Sequence, residues 1–209
     1  MKVKYPKTMH LPWSRGYTDD DKMLRNTDHF NGREVVITEK MDGENTSMYP
    51  EFIHARSLDS KDHISRHYAK TLHGNICYQI PEGYRLCGEN VYAKHSIGYS
   101  ALPGFFLLFS VWDENNICLS WDETAAWAER LNVPLVPVLY RGKWSEDAAK
   151  ACYTRISRCG GEQEGYVVRV ADRFAYEDFK TSAAKFVRNN HVQTDEHWLS
   201  KPVEPNALA

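Results

Sequence analysis

Residues 35–49 read VVITEKMDGENTSMY, and this stretch decides how the chain folds. The approach, Val35-Val36-Ile37-Thr38, is apolar and β-branched, the pattern of a buried strand. The exit, Asn45-Thr46-Ser47-Met48-Tyr49, favours a second strand, and Asp42-Gly43 between them is a strong hairpin signal. A surface lysine is ordinarily a solvated charge. Lys40, delivered by an apolar strand into a tight turn, is instead expected at the rim of a core, partly dry and aimed.

Working outward, the chain of 209 residues fits one large domain, or one with a small appendage, and can bury a sizeable core. Its 42% apolar and 26% charged content is ordinary for a globular protein. A formal net charge of −2 gives no global basic field, so any nucleic acid must be met through a local patch. No secretory h-region opens the sequence and no apolar run approaches a membrane span, which points to a cytoplasmic protein without membrane contact. Five cysteines, with no C-x-x-C pair, read as reduced and mostly buried thiols, which disfavours disulfides and zinc.

No repeat, low-complexity tract or Pro/Gly/Ser linker interrupts the chain, so residues 1–209 are expected to form a single domain. Residues 1–32 look loop-rich, with an acidic cluster at Asp19-Asp20-Asp21. Strands are expected at 33–39, 45–50, 52–57, 84–92, 105–112, 117–120, 135–140, 164–171 and 184–188. Helical spacing of Ile64, Tyr68 and Leu72 predicts a helix at 62–73. Ser120-Trp121-Asp122-Glu123 has the form of a capping box opening a helix to Leu131, and Ser145 is an N-cap for a helix at 145–158. Strands dominate and helices do not alternate strictly with them. This predicts an α+β fold with largely antiparallel sheets and inserted helices.

Several polar residues fall where strand patterns predict core or rim. They are Glu39-Lys40-x-Asp42-Gly43-x-Asn45, Arg56 after His54-Ala55, Glu89 in Gly88-Glu89-Asn90, Glu164 before Gly165-Tyr166, and Lys185 in Ala184-Lys185-Phe186. The aromatic run Phe105-Phe106-Leu107-Leu108-Phe109 lies among them. Singly, each has a structural explanation: a chance K-x-D-G, a satisfied carboxylate, a core phenylalanine, a surface arginine.

Their order is more specific. Lysine turn, arginine, glutamate, aromatic strand, glutamate-glycine strand and lysine strand together resemble the motif series of the covalent nucleotidyltransferases, which comprise ATP-dependent DNA and RNA ligases and mRNA capping enzymes. The resemblance runs from Glu39 to Arg188, and Asn45 makes it similar to the RNA ligase branch. The segments HLPWS (10–14), GENVYAKHSIGY (88–99) and KFVRNNHVQTDEHW (185–198) resemble small proteins of that branch. The resemblance implies an ATP-grasp-like ligase adenylation domain that joins RNA through a lysine–AMP intermediate.

It implies specific roles. Lys40 would attack the α-phosphate of ATP, for which its pKa is expected to be lowered by burial and nearby positive charge. Lys185 would contact that phosphate, and Glu164 would face Lys40 and help hold Mg²⁺, with Mn²⁺ as an alternative. Glu89 resembles the glutamate on the ribose hydroxyls, and Phe109 the aromatic stacked on adenine, a contact worth roughly 1–3 kcal/mol. Arg56 would bind a phosphate of the nucleotide or of the RNA 5′ end. Glu39, Asn45 and Arg188 complete the expected nucleotide-binding set.

Two departures stand out. The last motif of the family carries two lysines one residue apart, whereas here Lys185 is followed by Arg188, leaving Arg188 or Lys180 for the second cation. The segment after Arg188 is also too short for an OB-fold, so the expectation is a nucleotidyltransferase domain acting alone on RNA 5′-phosphate and 3′-hydroxyl ends, or with a partner protein supplying a clamp. Other readings are a capping-type or other nucleotidyltransferase with a different acceptor or nucleotide, and a catalytically silent RNA-end-binding module. Lys40, Glu89, Glu164 and Lys185 are all present, which disfavours the silent module. His63-x-x-x-His67 has helical metal spacing but no third ligand nearby; Lys94-His95-Ser96, and His191, Asp195 and His197, could touch RNA or be ordinary polar loops.

Overall fold

The computed structural model describes residues 2–17, 21–58, 62–189 and 202–209. The chain runs through β1 (Met9–His10), β2 (Glu34–Lys40), β3 (Glu44–Met48), β4 (Ile53–Ala55), helix α1 (His67–Ile76), β5 (Arg85–Asn90) and β6 (Phe106–Trp112). It continues with β7 (Ile117–Cys118), α2 (Trp121–Leu131), β8 (Val138–Lys143), α3 (Glu146–Ala151), β9 (Gly165–Val170), β10 (Phe174–Ala175), α4 (Phe179–Ser182) and β11 (Ala183–Val187). The strands form two sheets, ordered β1-β11-β9-β2-β8 and β10-β7-β6-β5-β3-β4. Every pairing of named strands is antiparallel except β1 with β11. This is the α+β architecture that the strand-rich pattern predicts.

One local expectation fails instructively. Asp42-Gly43 does not close a hairpin, because β2 pairs with β8 and β9 while β3 pairs with β4 and β5. The turn carries the chain from the first sheet into the second. Gly43 is not in the left-handed region that a hairpin turn would require. It is small because a Cβ there would lie 2.5 Å from the Asn90 carbonyl oxygen. The glycine thus allows the two sheets to approach at the point where the chain crosses.

Two of the apolar clusters hold the sheets, the first of them shared with Cys87, Trp112 and Cys118 of the second sheet. Val35 and Ile37 of β2 and Tyr166, Val168 and Val170 of β9 pack with Leu11 and Phe30. Met48, Leu86, Phe106, Leu108 and Val111 pack beneath Ala69 and Ile76 of α1 and Ala128 and Leu131 of α2. Burial at about 25 cal/mol per Å² makes such clusters the main favourable term holding the fold together. Arg169 ties the layers together, donating from Nη2 to the Leu119 carbonyl at 2.6 Å and from Nη1 to the Phe109 carbonyl at 3.5 Å.

Helix α2 begins as its sequence predicts, with both arms of the Ser120/Glu123 capping box made, and ends on a left-handed Asn132. Helix α3 is shorter than the expected 145–158 and stops at Ala151. Buried polar side chains capture the backbone that would have continued it. Gln163 takes the Thr154 N–H at 2.8 Å and donates to the Cys152 carbonyl at 3.0 Å, and Glu39 takes the Arg158 N–H at 2.9 Å. The pair His63 and His67 is not one turn of a helix: His63 precedes the helical segment as a cap, its Nδ1 2.8 Å from Ser65 Oγ, and His67 opens α1.

Candidate active site

The facing surfaces of the two sheets enclose a cavity of about 780 Å³. Strand register determines which residues reach it. Thr38 opposes Val167, and Lys185 opposes Val167 from the other side, so these positions share one face of the first sheet. Thr38, Lys40, Val167, Arg169, Ala183 and Lys185 accordingly line the cavity. From the second sheet come Asn45 and Glu89, a directly opposed pair on β3 and β5, together with Arg56 and Phe109.

At the mouth, Lys40 Nζ donates to Glu164 Oε2 at 2.7 Å. Lys40 keeps about a quarter of its side-chain surface exposed (26%), while Glu164 keeps 3%. Burial pushes the Lys40 pKa down, but the carboxylates of Glu164 and Glu89 together outweigh it and hold the amine above the ordinary lysine value. The expected lowering is therefore corrected: the surrounding carboxylates keep Lys40 protonated. Lys185 behaves in the opposite sense, lowered by burial, with Asp21 opposing and Lys40 reinforcing the shift.

The turn that aims Lys40 is locked by Asp42. Its Oδ2 accepts the N–H of Ser96 at 2.9 Å, the Ser96 hydroxyl at 3.0 Å and the Ile97 N–H at 2.8 Å. Its own backbone N–H donates to the Tyr99 hydroxyl at 2.8 Å. The segment at 94–99 is thus a clasp on the lysine turn. His95 lines the cavity, while Lys94 turns to Glu204 at 3.0 Å.

Glu89 is pushed up to about 8, first by burial, with Glu164 and Asp42 adding to the rise and Lys40 opposing it. It therefore holds its proton to higher pH than an ordinary glutamate. Phe109 is placed by a β-bulge: Cys87 opposes Ser110 but Gly88 opposes Leu108, so Phe109 is the extra residue of β6. Its ring meets that of Tyr5 edge-on at 5.3 Å. Asn45 Oδ1 and Arg56 Nε are buried polar atoms without a hydrogen-bond partner, both on residues that line the cavity.

Glu39 is among the residues lining the cavity, and its carboxylate also holds the loop after α3 by accepting the Arg158 N–H at 2.9 Å. Arg188 does not line the cavity, and its guanidinium donates to Glu162 at 2.6 Å. His191, Asp195 and His197 lie outside the described residues, as do Asp19 and Asp20. Among the described residues no group of three or more His, Cys, Asp or Glu could cage a metal ion. The carboxylates present suit a hard cation that keeps its waters, as Mg²⁺ does, and not a dedicated cage.

Sequence reasoning missed the N-terminal segment. β1 pairs in parallel with β11, His10 beside Lys185, and Asp21 Oδ1 lies 3.4 Å from Lys185 Nζ. HLPWS was visible as a segment, but no local signal could have told which strand it joins.

A family profile described as RNA ligase matches residues 33–187. A comparison with curated proteins finds no match. Among solved structures, a variant of Naegleria gruberi RNA ligase with AMP and Mn is similar over 90% of this chain and 62% of its own, at a TM-score of 0.57 and 16% identity. A second variant with ATP and Mn is similar over 78% of this chain and 52% of its own, at a TM-score of 0.57 and 18% identity. The same ligase with PPi covers 90% of this chain and 60% of its own, at a TM-score of 0.54 and 16% identity. The chain thus spans between about half and three-fifths of these ligases, and at such identities the likeness is one of fold.

Proposed function

The chain belongs to the RNA ligase family, and from that membership and the geometry of the cavity we propose that it is an ATP-dependent RNA ligase working through a Lys40–AMP intermediate. The carrying observation is the convergence of Lys40, Glu89, Glu164 and Lys185 on one cavity with Phe109.

In this reading the Lys40 amine attacks the α-phosphorus of ATP, a P–N bond forms, and the bond to the β-phosphate oxygen breaks as pyrophosphate leaves. The AMP passes to an RNA 5′-phosphate, and a 3′-hydroxyl then displaces AMP to seal the strand. Glu164 Oε2, at 2.7 Å, is within reach to accept the proton that Lys40 must lose. Lys185 lies on the same sheet face, where it can offset charge gathering at the phosphorus. Phe109 offers a ring for adenine, and Glu89 a carboxyl group for the ribose hydroxyls. Asn45 and Arg56, with buried atoms awaiting partners, face the phosphates or the RNA end.

Glu164 would hold Mg²⁺ directly or through water, and the cation would supply positive charge beside the phosphates and the amine. The solved Naegleria gruberi ligase variants with ATP or with AMP also contain Mn, which supports a divalent metal. Residues 1–209 are read as one nucleotidyltransferase domain of a cytoplasmic RNA repair enzyme, which holds RNA alone or beside a partner protein acting as a clamp. No helix among the described residues is long and apolar enough to cross a membrane.

The test is incubation with α-labelled ATP or GTP and Mg²⁺, followed by denaturing electrophoresis. Label from ATP that survives denaturation and vanishes in Lys40→Ala supports the proposal. Label from GTP alone would favour a capping-type transferase, and label from neither would leave an RNA-end-binding module.

A further inference from the structure

Residues 203–209 lie along the segment that clasps the lysine turn. The Lys94 N–H donates to the Glu204 carbonyl at 2.8 Å, and the Asn206 N–H to the Tyr92 carbonyl at 2.9 Å. Further on, the Ala207 N–H donates to the Tyr99 carbonyl at 3.0 Å and the Leu102 N–H to the Ala207 carbonyl at 3.0 Å. Isolated bridges pair Ala93 with Pro205 and Leu102 with Leu208. All of this lies beyond residue 187, where the family match stops. Main-chain bonds on both flanks hold the segment in one register.

The side chain at its centre is Asn206, which is buried. Its Oδ1 accepts the Tyr99 N–H at 2.8 Å, and its Nδ2 donates to the Val91 carbonyl at 2.8 Å. One amide therefore ties the two ends of the segment 91–99 together, using an acceptor and a donor at once. Both ends bear on the site. Val91 follows Glu89 and Asn90, and the Asn90 carbonyl is the atom that Gly43 approaches. The Tyr99 hydroxyl accepts the Asp42 N–H at 2.8 Å, while Ser96 and Ile97, between the tied ends, hold the Asp42 carboxylate. Asp42 in turn fixes the turn that carries Lys40. Asn206 itself does not line the cavity.

We propose that Asn206 is a positioning residue for Lys40, and that residues 203–209 act as a strap that closes the 91–99 segment on the lysine turn. The strap stands on the contacts alone, whereas its effect on a reaction rests on the ligase reading of Lys40.

Amide hydrogen exchange and labelling from α-labelled ATP, measured on the same variants, test it. Asn206→Ala leaves the Tyr99 N–H and the Val91 carbonyl without their partner, so exchange of the Asp42, Ser96 and Ile97 amides should speed up about 10-fold or more. The labelling rate at saturating ATP should fall about 10-fold, with half-maximal ATP unchanged, because the residue touches no nucleotide. Asn206→Asp keeps the acceptor for the Tyr99 N–H and should lie between the parent and the alanine variant in both measurements, a milder change that carries the test if Asn206→Ala does not fold. Tyr99→Phe removes the hydroxyl that accepts the Asp42 N–H while leaving the Asn206 contact. The double variant Asn206→Ala/Tyr99→Phe should be little slower than the slower single variant, since both break one chain of contacts. Glu204→Ala, which removes only the exposed ion pair with Lys94, should match the parent. Unchanged exchange at these amides, a raised ATP requirement with the saturating rate intact, or losses that multiply in the double variant would each overturn the inference. Faster exchange with this pattern, in a protein that takes no label from ATP, would keep the strap and remove the ligase reading.

Discussion

Lys40 Nζ donates to Glu164 Oε2 across 2.7 Å, joining the last residue of β2 to the residue that precedes β9. Glu164 is among the carboxylates that hold the amine above its ordinary value against the effect of burial. Glu164→Gln therefore lowers the Lys40 pKa, and labelling of Lys40 by an amine-selective reagent, followed by mass spectrometry across pH, should begin at lower pH than in the parent protein. A raised lysine pKa contributes stability that is present below the ordinary value and lost as pH rises through the folded value, so this contribution also shrinks in the variant. Adenylylation should nonetheless fall, by about 10²-fold or more, because the acceptor for the proton is gone. An unchanged labelling profile would show that the contact does not control the amine.

Glu89 gives a stability prediction with the same sign of slope, in a lower pH window. Its folded value of about 8 lies above the ordinary 4.5, so between these pH values the folded protein holds a proton that the unfolded chain has released. Stability attributable to this residue is greatest below pH 4.5 and falls across the window, by up to about 1.4 kcal/mol per pH unit. Glu89→Gln keeps the shape without the titration. Urea unfolding at pH 5 and pH 8 should show the parent losing more stability than the variant, which becomes the more stable of the two at pH 8.

Asp42 accepts three hydrogen bonds on one oxygen from Ser96 and Ile97, and is buried. Asp42→Ala leaves those donors without their acceptor, and should cost about 3 kcal/mol in urea unfolding. Limited proteolysis should then cut first near 94–99, and adenylylation should fall because the lysine turn is no longer fixed. Cleavage elsewhere with 94–99 intact would show that the clasp is not the structural role of this carboxylate.

The strands of the two sheets were legible because β-branched and apolar runs report burial directly: Val35 to Thr38, Leu86 to Cys87 and Tyr166 to Val170 all lie where their patterns place them. The Asp42-Gly43 turn was legible as a turn and misread as a hairpin, since turn chemistry is local while the sheet a strand joins is settled by distant partners. Helix α3 was overextended for the same reason. Lys40, Glu89, Glu164 and Lys185 could be picked out because a charge in a strand pattern is conspicuous, but that Arg188 turns away to Glu162 depends on tertiary packing. The place of His10 beside Lys185 depends on a parallel pairing across more than 170 residues, for which the sequence carries no signal.

Phe109 offers the sharpest separation of a nucleotide role from a packing role. Strict alternation along β6 would not settle which of its aromatics faces the cavity; the bulge opposite Cys87 and Gly88 does so by making Phe109 the extra residue. If the ring stacks on adenine, Phe109→Ala removes roughly 1–3 kcal/mol of ATP binding, so half-maximal labelling should need about 10-fold more ATP or above. Phe109→Trp preserves a stacking face and should stay near the parent. Maximal labelling at saturating ATP should be the same in all three, because the ring binds the base and takes no part at phosphorus. Were Phe109 only a packing residue beside Tyr5, the alanine variant would unfold at lower urea while its ATP requirement stayed unchanged. Labelling at graded ATP, run alongside urea unfolding, separates the two.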